Sequence, residues 1–241
     1  LVTMFPSTDH LLIPFLRGDG RDSRDRKLEE ILGWGFDQME MCHDYIQWIF
    51  PTSEMSMFNP GAPNYTPELQ EVVRNDPNLQ EALRMCFKKW CWFLGLDALE
   101  AAFKIGAIVR VEGLQSDAGQ KLNGQEGAIT SFVHQSGRYG VKVGDEVKSL
   151  KPENLQLVSS AEAKERPCIV QKAAHFHERV PNCWAGRMNH NWLRISRVLH
   201  CLKLSKLDAE AEAFMTCLEE IGREFPSTGS SMRHWRDRFQ T

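Results

Sequence analysis

The sequence lacks the features that mark a membrane-spanning protein or a common enzyme. No apolar run approaches the roughly 20 residues needed to cross a bilayer. There is no Gly-x-Ser-x-Gly nucleophile elbow, and the glycine-rich stretch from Gly113 to Gly127 lacks the Lys-Ser/Thr ending of a phosphate-binding loop. None of the seven cysteines lies in a recognised reactive context. These absences predict a soluble protein that is not an enzyme and that needs no cofactor.

The cysteines also lack the even number and regular spacing of a disulfide framework. Seven scattered thiols are typical of a reduced, intracellular protein rather than of a secreted scaffold. The chain starts at Leu1 and not at methionine, so a removed leader and an organellar location stay open. A net charge of −3 predicts no general affinity for nucleic acid or anionic membranes.

What the sequence does contain is ample material for a hydrophobic core. Hydrophobic residues make up 42% of the chain and include seven Trp and thirteen Phe, enough for one large domain or two smaller ones. The spacing predicts a helix from Asp37 to Ile49, ended by Pro51. One face of this helix would carry three large side chains, namely Met41, Tyr45 and Trp48.

Two further helix starts combine a capping side chain with proline at the first helical position. They are Thr66-Pro67 and Asp76-Pro77. After the second start, apolar residues repeat every three or four positions until Gly95, which predicts an amphipathic helix. Its apolar stripe is Leu79, Leu83, Phe87, Trp90 and Leu94.

Residues 104–158 change to short β-prone runs separated by glycine turns. Asn123-Gly124 and Gly144-Asp145 are typical turns, and Lys151 to Asn154 predicts a helical turn before the last strand. The pattern predicts a small antiparallel β-barrel and resembles the KOW- and Tudor-like barrels of the Src-homology-3-like class. Seven basic and six acidic residues leave this segment nearly neutral, which disfavours phosphate recognition.

Three helices are predicted after residue 160, followed by a last short segment that Ser230 or Ser231 could cap. They run over about 170–180, from an Asn189 or Asn191 cap through Leu202, and over 208–222. Because neither helical part carries a complete core alone, the two parts are expected to pack together. The predicted fold is mainly α, with an inserted small antiparallel β-barrel. The predicted bounds are 28–99 for the first part of the helical body, 104–158 for the barrel and 160–241 for the second part.

Two motifs carry the most specific signal. The first is His43-Asp44-Tyr45-Ile46-Gln47-Trp48-Ile49-Phe50-Pro51, and the second is Asn189-His190-Asn191-Trp192-Leu193-Arg194-Ile195-Ser196-Arg197-Val198-Leu199. Together they resemble the conserved domain of the opioid growth factor receptor family, over residues 34–97 and 172–225. The resemblance implies a helical intracellular domain, cytoplasmic or nuclear, that is related to opioid-peptide binding. The small barrel would be an insertion into that domain.

Polar and aromatic side chains of the two motifs form the candidate site. In one interpretation they line a pocket for a protein or peptide; in the other they clamp helix ends, whose polar groups need partners in any fold. We favour the clamp. Arg194 and Arg197 share a helix face that the apolar stripe avoids, and Arg194 is placed to pair with an acid such as Glu40. The candidates are His43, Tyr45, Gln47, Trp48, Asn189, His190, Asn191, Arg194 and Arg197.

A metal site is a weaker interpretation of the histidines. Four potential zinc ligands fall within sixteen residues, but they lack the tight paired spacing of structural zinc sites. These ligands are His175, His177, Cys183 and His190. No metal is therefore expected.

The sequence as a whole predicts a non-enzymatic protein- or peptide-interaction module. The first alternative is a structural or accessory subunit of a larger assembly, in which neighbouring chains bury exposed aromatic side chains. A weaker alternative is RNA binding through the barrel.

Overall fold

The chain folds into two compact units. The structure, a computed structural model, describes residues 8–54, 56, 59–160, 166–186 and 189–240. The helical unit comprises residues 1–98 and 171–241, and the sheet unit comprises residues 99–170. Helices hold 50% of the residues and strands 17%, in two small open sheets. The fold is therefore mixed α and β, and the expectation of a mainly α fold with a barrel is wrong.

The first segment of the helical unit is built from short helices followed by one long one. Both proline-led helix starts are confirmed, because Thr66 Oγ1 accepts from Leu69 N–H at 3.4 Å and Asp76 Oδ1 accepts from Asn78 N–H at 2.9 Å. Gly95 follows the long helix with a φ of 84°, a conformation that is less costly for glycine than for any residue with a Cβ atom. The helices are α1 (Asp9–Arg17), α2 (Leu28–Leu32), α3 (Phe36–Met41), α4 (Ile46–Ile49), α5 (Pro67–Asn75) and α6 (Pro77–Phe93).

The helix predicted from Asp37 to Ile49 is wrong, because the chain breaks between α3 and α4. Cys42 is extended at φ −80° and ψ 130°, and its carbonyl accepts a hydrogen bond from Arg194 at 2.8 Å instead of an intrahelical one. Met41 is consequently 78% exposed, whereas Tyr45 and Trp48 are fully buried. A tertiary hydrogen bond thus overrides the local helical preference.

The second segment of the helical unit begins in a strand. The helix predicted over 170–180 is wrong in its first half, because the β-branched run at Ile169 and Val170 lies in a strand that pairs with β1 (Leu96–Glu100). The helices predicted after residue 189 and over 208–222 are confirmed. The elements are β7 (Cys168–Lys172), α8 (Phe176–Cys183), α9 (Asn191–Leu204), α10 (Asp208–Glu224) and α11 (Gly229–Gln240). Within the described ranges, no helix combines the length and apolarity needed to span a membrane.

Three tryptophans link the ends of several helices through their indole N–H groups. Trp184 Nε1–H donates to Leu94 O at 2.9 Å, Trp192 donates to Trp184 O at 2.5 Å, and Trp235 donates to Trp192 O at 3.0 Å. Trp184 and Trp235 are fully buried, and their rings meet edge to face at 6.1 Å. This tryptophan relay connects the residues after α6 with α9 and α11.

The sheet unit is organised around a five-stranded antiparallel sheet in the order β5-β4-β3-β2-β6. One face buries an apolar core that includes Val109, Ile129 and Val141. Gly127 allows β3 and β4 to approach closely, because a Cβ there would lie 2.5 Å from Lys142 O. The elements are β2 (Ile108–Val111), α7 (Asp117–Gln120), β3 (Glu126–Val133), β4 (Arg138–Val143), β5 (Glu146–Leu150) and β6 (Leu155–Ser159).

The predicted small β-barrel is wrong, because this sheet stays open. β5 and β6 are its two edges, and no ladder joins them in the described part of the chain. The chain passes between them through the 3-10 turn Pro152–Asn154, so the predicted helical turn is confirmed. Pro152 has no N–H to donate, so the turn interrupts the ladder and β6 returns to pair with β2.

Candidate functional site

Arg194 joins the two sequence motifs inside the helical unit. Its Nη1 donates to Met39 O at 3.0 Å and to Asn191 Oδ1 at 3.1 Å, while Nη2 donates to Cys42 O at 2.8 Å and contacts His43 Nδ1 at 3.1 Å. Its side chain is buried, with only 6% of the residue exposed, so the expected position on a charged outer face is wrong. Four acceptors replace water around the guanidinium and make this burial tolerable.

Glu40 binds neighbours other than Arg194. Its carboxylate lies 3.3 Å from Arg179 Nη2 and 3.2 Å from His190 Nε2, and it accepts a hydrogen bond from Asn191 Nδ2 at 3.3 Å. The predicted Arg194–Glu40 pair is therefore wrong, since both Nη atoms of Arg194 are occupied by other acceptors. Glu40, three residues before the first motif, nevertheless contacts the second motif through His190 and Asn191.

Three of the predicted site residues lie in the interior instead of on a surface. Tyr45 is fully buried, its hydroxyl donates to Met39 O at 3.2 Å, and burial raises its pKa. Trp48 is also fully buried. Asn191 donates to Cys183 O at 2.9 Å, and its own N–H donates to Asn189 Oδ1 at 2.8 Å at the start of α9. These contacts are of the helix-clamping kind.

Five other predicted residues line a pocket of about 480 Å³ in the helical unit. They are His43, Gln47, His190, Arg194 and Arg197. The pocket wall comes from α4 and the residues beside it, from α9 and from α11. Ile46 and Leu193 supply its apolar part, so the wall combines charged, polar and apolar groups.

The wall of this pocket is positively charged. Three arginines and one glutamate give it a net charge of +2 when its histidines are neutral. Arg238 binds Glu54 through both Nη atoms, with Nη2 donating to Oε2 at 2.9 Å, and this contact lowers the pKa of Glu54. Arg197 Nη1 donates to Thr52 Oγ1 at 2.9 Å and to Phe50 O at 3.3 Å.

Four histidines contribute to the same wall, at positions His43, His190, His200 and His234. The rings of His43 and His190 lie 5.1 Å apart. Burial lowers the pKa of His190, with Arg194 acting in the same direction and Glu40 opposing. Burial also lowers the pKa of His200, so both imidazoles are neutral at neutral pH.

His200 makes the protein less stable in mild acid. Its pKa in the folded state is below its ordinary value, so the unfolded chain binds the proton first as the pH falls. The contribution of neutral His200 is complete above about pH 6.5 and is lost as the pH falls from there through the folded-state pKa. The melting temperature should therefore fall between about pH 7.5 and about pH 5, and less steeply in a His200→Gln variant.

The exposed His10 on α1 provides the control for this measurement. A His10→Gln variant controls for the loss of one histidine at a position outside the pocket wall. Arg238, Arg197 and Glu54 keep their charges over this pH range, so they do not produce the same profile. Identical pH profiles for wild type and His200→Gln would contradict the assignment.

Gln47 carries a buried oxygen without a partner. The residue is 5% exposed, and its Nε2 donates to Ser56 Oγ at 3.3 Å. Its Oε1 accepts no hydrogen bond from any described residue. An unpaired buried acceptor costs roughly 1–3 kcal/mol of stability, and violations of this kind concentrate at functional sites.

Several wall residues escaped sequence reasoning. His200 was detectable in principle, because its spacing of three from Arg197 puts both on one face of α9. Glu54 lies in an irregular segment, and His234 and Arg238 lie on α11, far from both motifs. Nothing in the sequence distinguishes these three from ordinary surface residues.

Two of the potential zinc ligands contact backbone carbonyls. His175 Nε2 lies 2.9 Å from Trp92 O, and Cys183 Sγ lies 3.9 Å from Phe93 O. Among the residues that the structure describes, no group of three or more such side chains is arranged to hold a metal ion.

Comparison with protein families identifies a match to the first half of the chain. Residues 26–125 match the family model of the opioid growth factor receptor (OGFr) conserved region. This range includes the first motif, whereas the second motif, residues 189–199, lies beyond it. No curated protein and no solved structure matches the chain.

Proposed function

We propose that the helical unit is a non-enzymatic interaction domain of the opioid growth factor receptor type, and that its pocket docks a segment of a protein or peptide partner. The observation that carries the proposal is the pocket itself, which the two motifs build together with α11. By the same resemblance we place the protein inside the cell, in the cytoplasm or the nucleus. The opioid peptide itself is not part of the proposal.

Leu193 supports docking of an apolar anchor. It is 59% exposed at the start of α9, although most residues of that helix are buried. It lies on the pocket wall with the buried Ile46. An exposed leucine beside a polar cavity fits the contact anatomy of a protein interface, with an apolar centre and a polar rim.

The titratable groups near the pocket favour binding over chemistry. Burial raises the pKa of Cys183 and of Cys201 to about 12, so these thiols stay protonated and are poor nucleophiles. Burial lowers the pKa values of His190 and His200 away from neutrality. General acid–base catalysis works best with a pKa close to the operating pH, whereas burial moves the pKa values of these groups away from it.

A second candidate function is that of a subunit in a larger assembly, and one surface of the sheet unit favours it. Ile108, Ala128, Lys142 and Val147 form a cross-strand row on the face opposite the core. Val147 is 58% exposed at the end of this row. Exposed apolar side chains on a sheet face near an open edge are a common contact surface for another chain.

The charge-introducing variants Leu193→Asp and Val147→Asp separate the two candidates. The wild-type protein in mild extracts of its own cells should migrate well above the mass of a single chain, to which this sequence contributes 27.6 kDa. Leu193→Asp should return it to the monomer mass, because a carboxylate cannot enter an apolar contact without a large desolvation cost. Native gel filtration of tagged variants at equal expression measures this shift.

Met85→Asp is the matched control for this experiment. Met85 is 44% exposed on α6 and lies outside the pocket wall, so the variant should migrate like wild type. Loss of the large species only with Val147→Asp would favour the assembly subunit. A wild-type protein that migrates as a monomer would contradict the assembly subunit and would leave a peptide as the partner of the pocket.

A further inference from the structure

Arg197 lines the pocket and keeps one hydrogen-bonding edge of its guanidinium without a partner among the described residues. Both hydrogens of its Nη1 are used by Phe50 O and Thr52 Oγ1. Its Nε and Nη2 donate to no described residue, although the guanidinium plane fixes their directions. The two contacts of Nη1 therefore orient the remaining pair of donors. Two parallel N–H groups held in this way match the two oxygens of a carboxylate or a phosphate.

Arg197 makes no direct ion pair within the part of the chain that the structure describes, and Glu54 acts on its charge only through space. No carboxylate of a described residue lies within 4.0 Å of it, and Glu54, the acid on the pocket wall, is bound by Arg238. Burial lowers the pKa of Arg197, which reports the cost of holding this cation away from water. A partly buried cation on a cavity wall, without an acid beside it, is complementary to an anion.

The rest of the wall favours an anion that is attached to an apolar group. Leu193 and Ile46 flank the charged side chains, and His200 follows Arg197 by one helical turn. The cavity of about 480 Å³ is much larger than a single carboxylate or phosphate group. A bare inorganic anion would leave the apolar wall uncovered.

We infer that the pocket recognises an oxyanion on an apolar peptide residue, and that Nε and Nη2 of Arg197 bind the oxyanion while Leu193 contacts the apolar group. The inference names the ligand class of the pocket described under the proposed function and rests on that proposal. Carboxylate and phosphate share the required chemistry. One open edge with two N–H donors can form two hydrogen bonds with a carboxylate, such as that of a peptide C-terminus.

Two small probes that differ only in charge test the inference on the full purified chain. N-acetyl-leucine carries the apolar group with a carboxylate, and N-acetyl-leucinamide carries the same group without the charge. We expect the acid to bind in the millimolar range, as is reasonable for so small a ligand, and at least about tenfold more tightly than the amide. Nuclear magnetic resonance titration of the backbone amides and histidine rings measures both affinities.

Variants of Arg197 test whether its guanidinium binds the carboxylate of N-acetyl-leucine. Arg197→Gln should weaken binding of the acid by about tenfold or more, and Arg197→Lys should give an intermediate loss because lysine keeps the charge without the two-pronged edge. Arg233→Gln is the control, since Arg233 is exposed on α11 and lies outside the pocket wall. If Arg197→Gln does not fold, Arg197→Lys carries the comparison.

Each outcome of the titrations has a definite meaning. Equal affinity for the acid and the amide, or unchanged affinity in both Arg197 variants, would overturn the inference. Phosphate or a phosphoserine peptide that binds more tightly than the acid, with the same dependence on Arg197, would support the oxyanion site and identify phosphate as its group. If the acid binds while Leu193→Asp leaves the native mass unchanged, the proposed partner docking fails and the anion site stands.

Discussion

An Arg194→Ala variant should unfold with a free energy about 3–5 kcal/mol below that of the wild type. The substitution removes the donors for Met39 O, in the last turn of α3, and for Cys42 O, between α3 and α4. It also removes the partner of Asn191 Oδ1 at the start of α9. Unpaired buried acceptors carry a large desolvation cost, so the loss should exceed that of an ordinary surface substitution. Denaturant unfolding with linear extrapolation measures it.

Two other substitutions show whether the geometry of Arg194 matters. Arg194→Lys keeps the charge but cannot reach acceptors on several sides, so it should lose an intermediate amount of stability. Arg233→Ala removes an exposed arginine from α11 and should stay within about 0.5 kcal/mol of wild type. A loss of less than about 1 kcal/mol for Arg194→Ala would mean that water replaces the guanidinium, and that Arg194 does not hold the two motifs together.

A Trp184→Ala variant should lose a similar amount of stability, about 3–5 kcal/mol. Trp184 is fully buried, its indole donates to Leu94 O, and its own carbonyl accepts from Trp192. The substitution empties a large volume and removes the first donor of the tryptophan relay. Thermal and denaturant unfolding should agree on the loss if the helical unit unfolds cooperatively.

Conservative variants distinguish the volume of Trp184 from its hydrogen bond. Trp184→Phe keeps most of the ring and leaves Leu94 O without its indole donor, so it should cost roughly 1–3 kcal/mol. Trp192 is only partly buried, and Trp192→Phe should cost less than Trp184→Phe. The reverse order would show that the relay depends on its middle member and not on the buried first one.

The parts of the fold that the sequence predicts well are those that depend on local chemistry. Thr66, Asp76 and the prolines after them define helix starts through groups only two or three residues away. The break after Met41 could not be predicted, because it depends on Arg194, which follows Cys42 by 152 residues. The strand at residues 168–172 likewise needs its partner β1, and the apolar pattern there fits a helix equally well.

The sheet unit illustrates the same limit. Its glycine turns and alternating residues correctly indicate short antiparallel strands, because hairpin pairing is local. Whether the sheet closes depends on the pairing of its first and last edges, and no short sequence pattern encodes that. The barrel prediction therefore failed at the step that involves β5 and β6.

The predicted site residues fall into two groups that differ in burial. His43, Gln47, His190, Arg194 and Arg197 reach the pocket wall, whereas Tyr45, Trp48 and Asn191 are completely buried behind it. The order of residues in a motif does not distinguish side chains that face a cavity from side chains that are buried near it. Arg194 belongs to both groups, because it lines the pocket and its Nη atoms are occupied by protein acceptors.

The division of the helical unit between residues 1–98 and 171–241 has a consequence for biosynthesis. Arg194 and Trp184 leave the ribosome only after the whole sheet unit has been made, a delay on the order of ten seconds at ordinary elongation rates. The sheet unit is built mostly from strands that are near one another in the sequence, so it can fold during this interval. Until residues 171–241 emerge, Met39 O and Cys42 O lack their donor Arg194 and Leu94 O lacks its donor Trp184, so the helical unit is completed after the sheet unit.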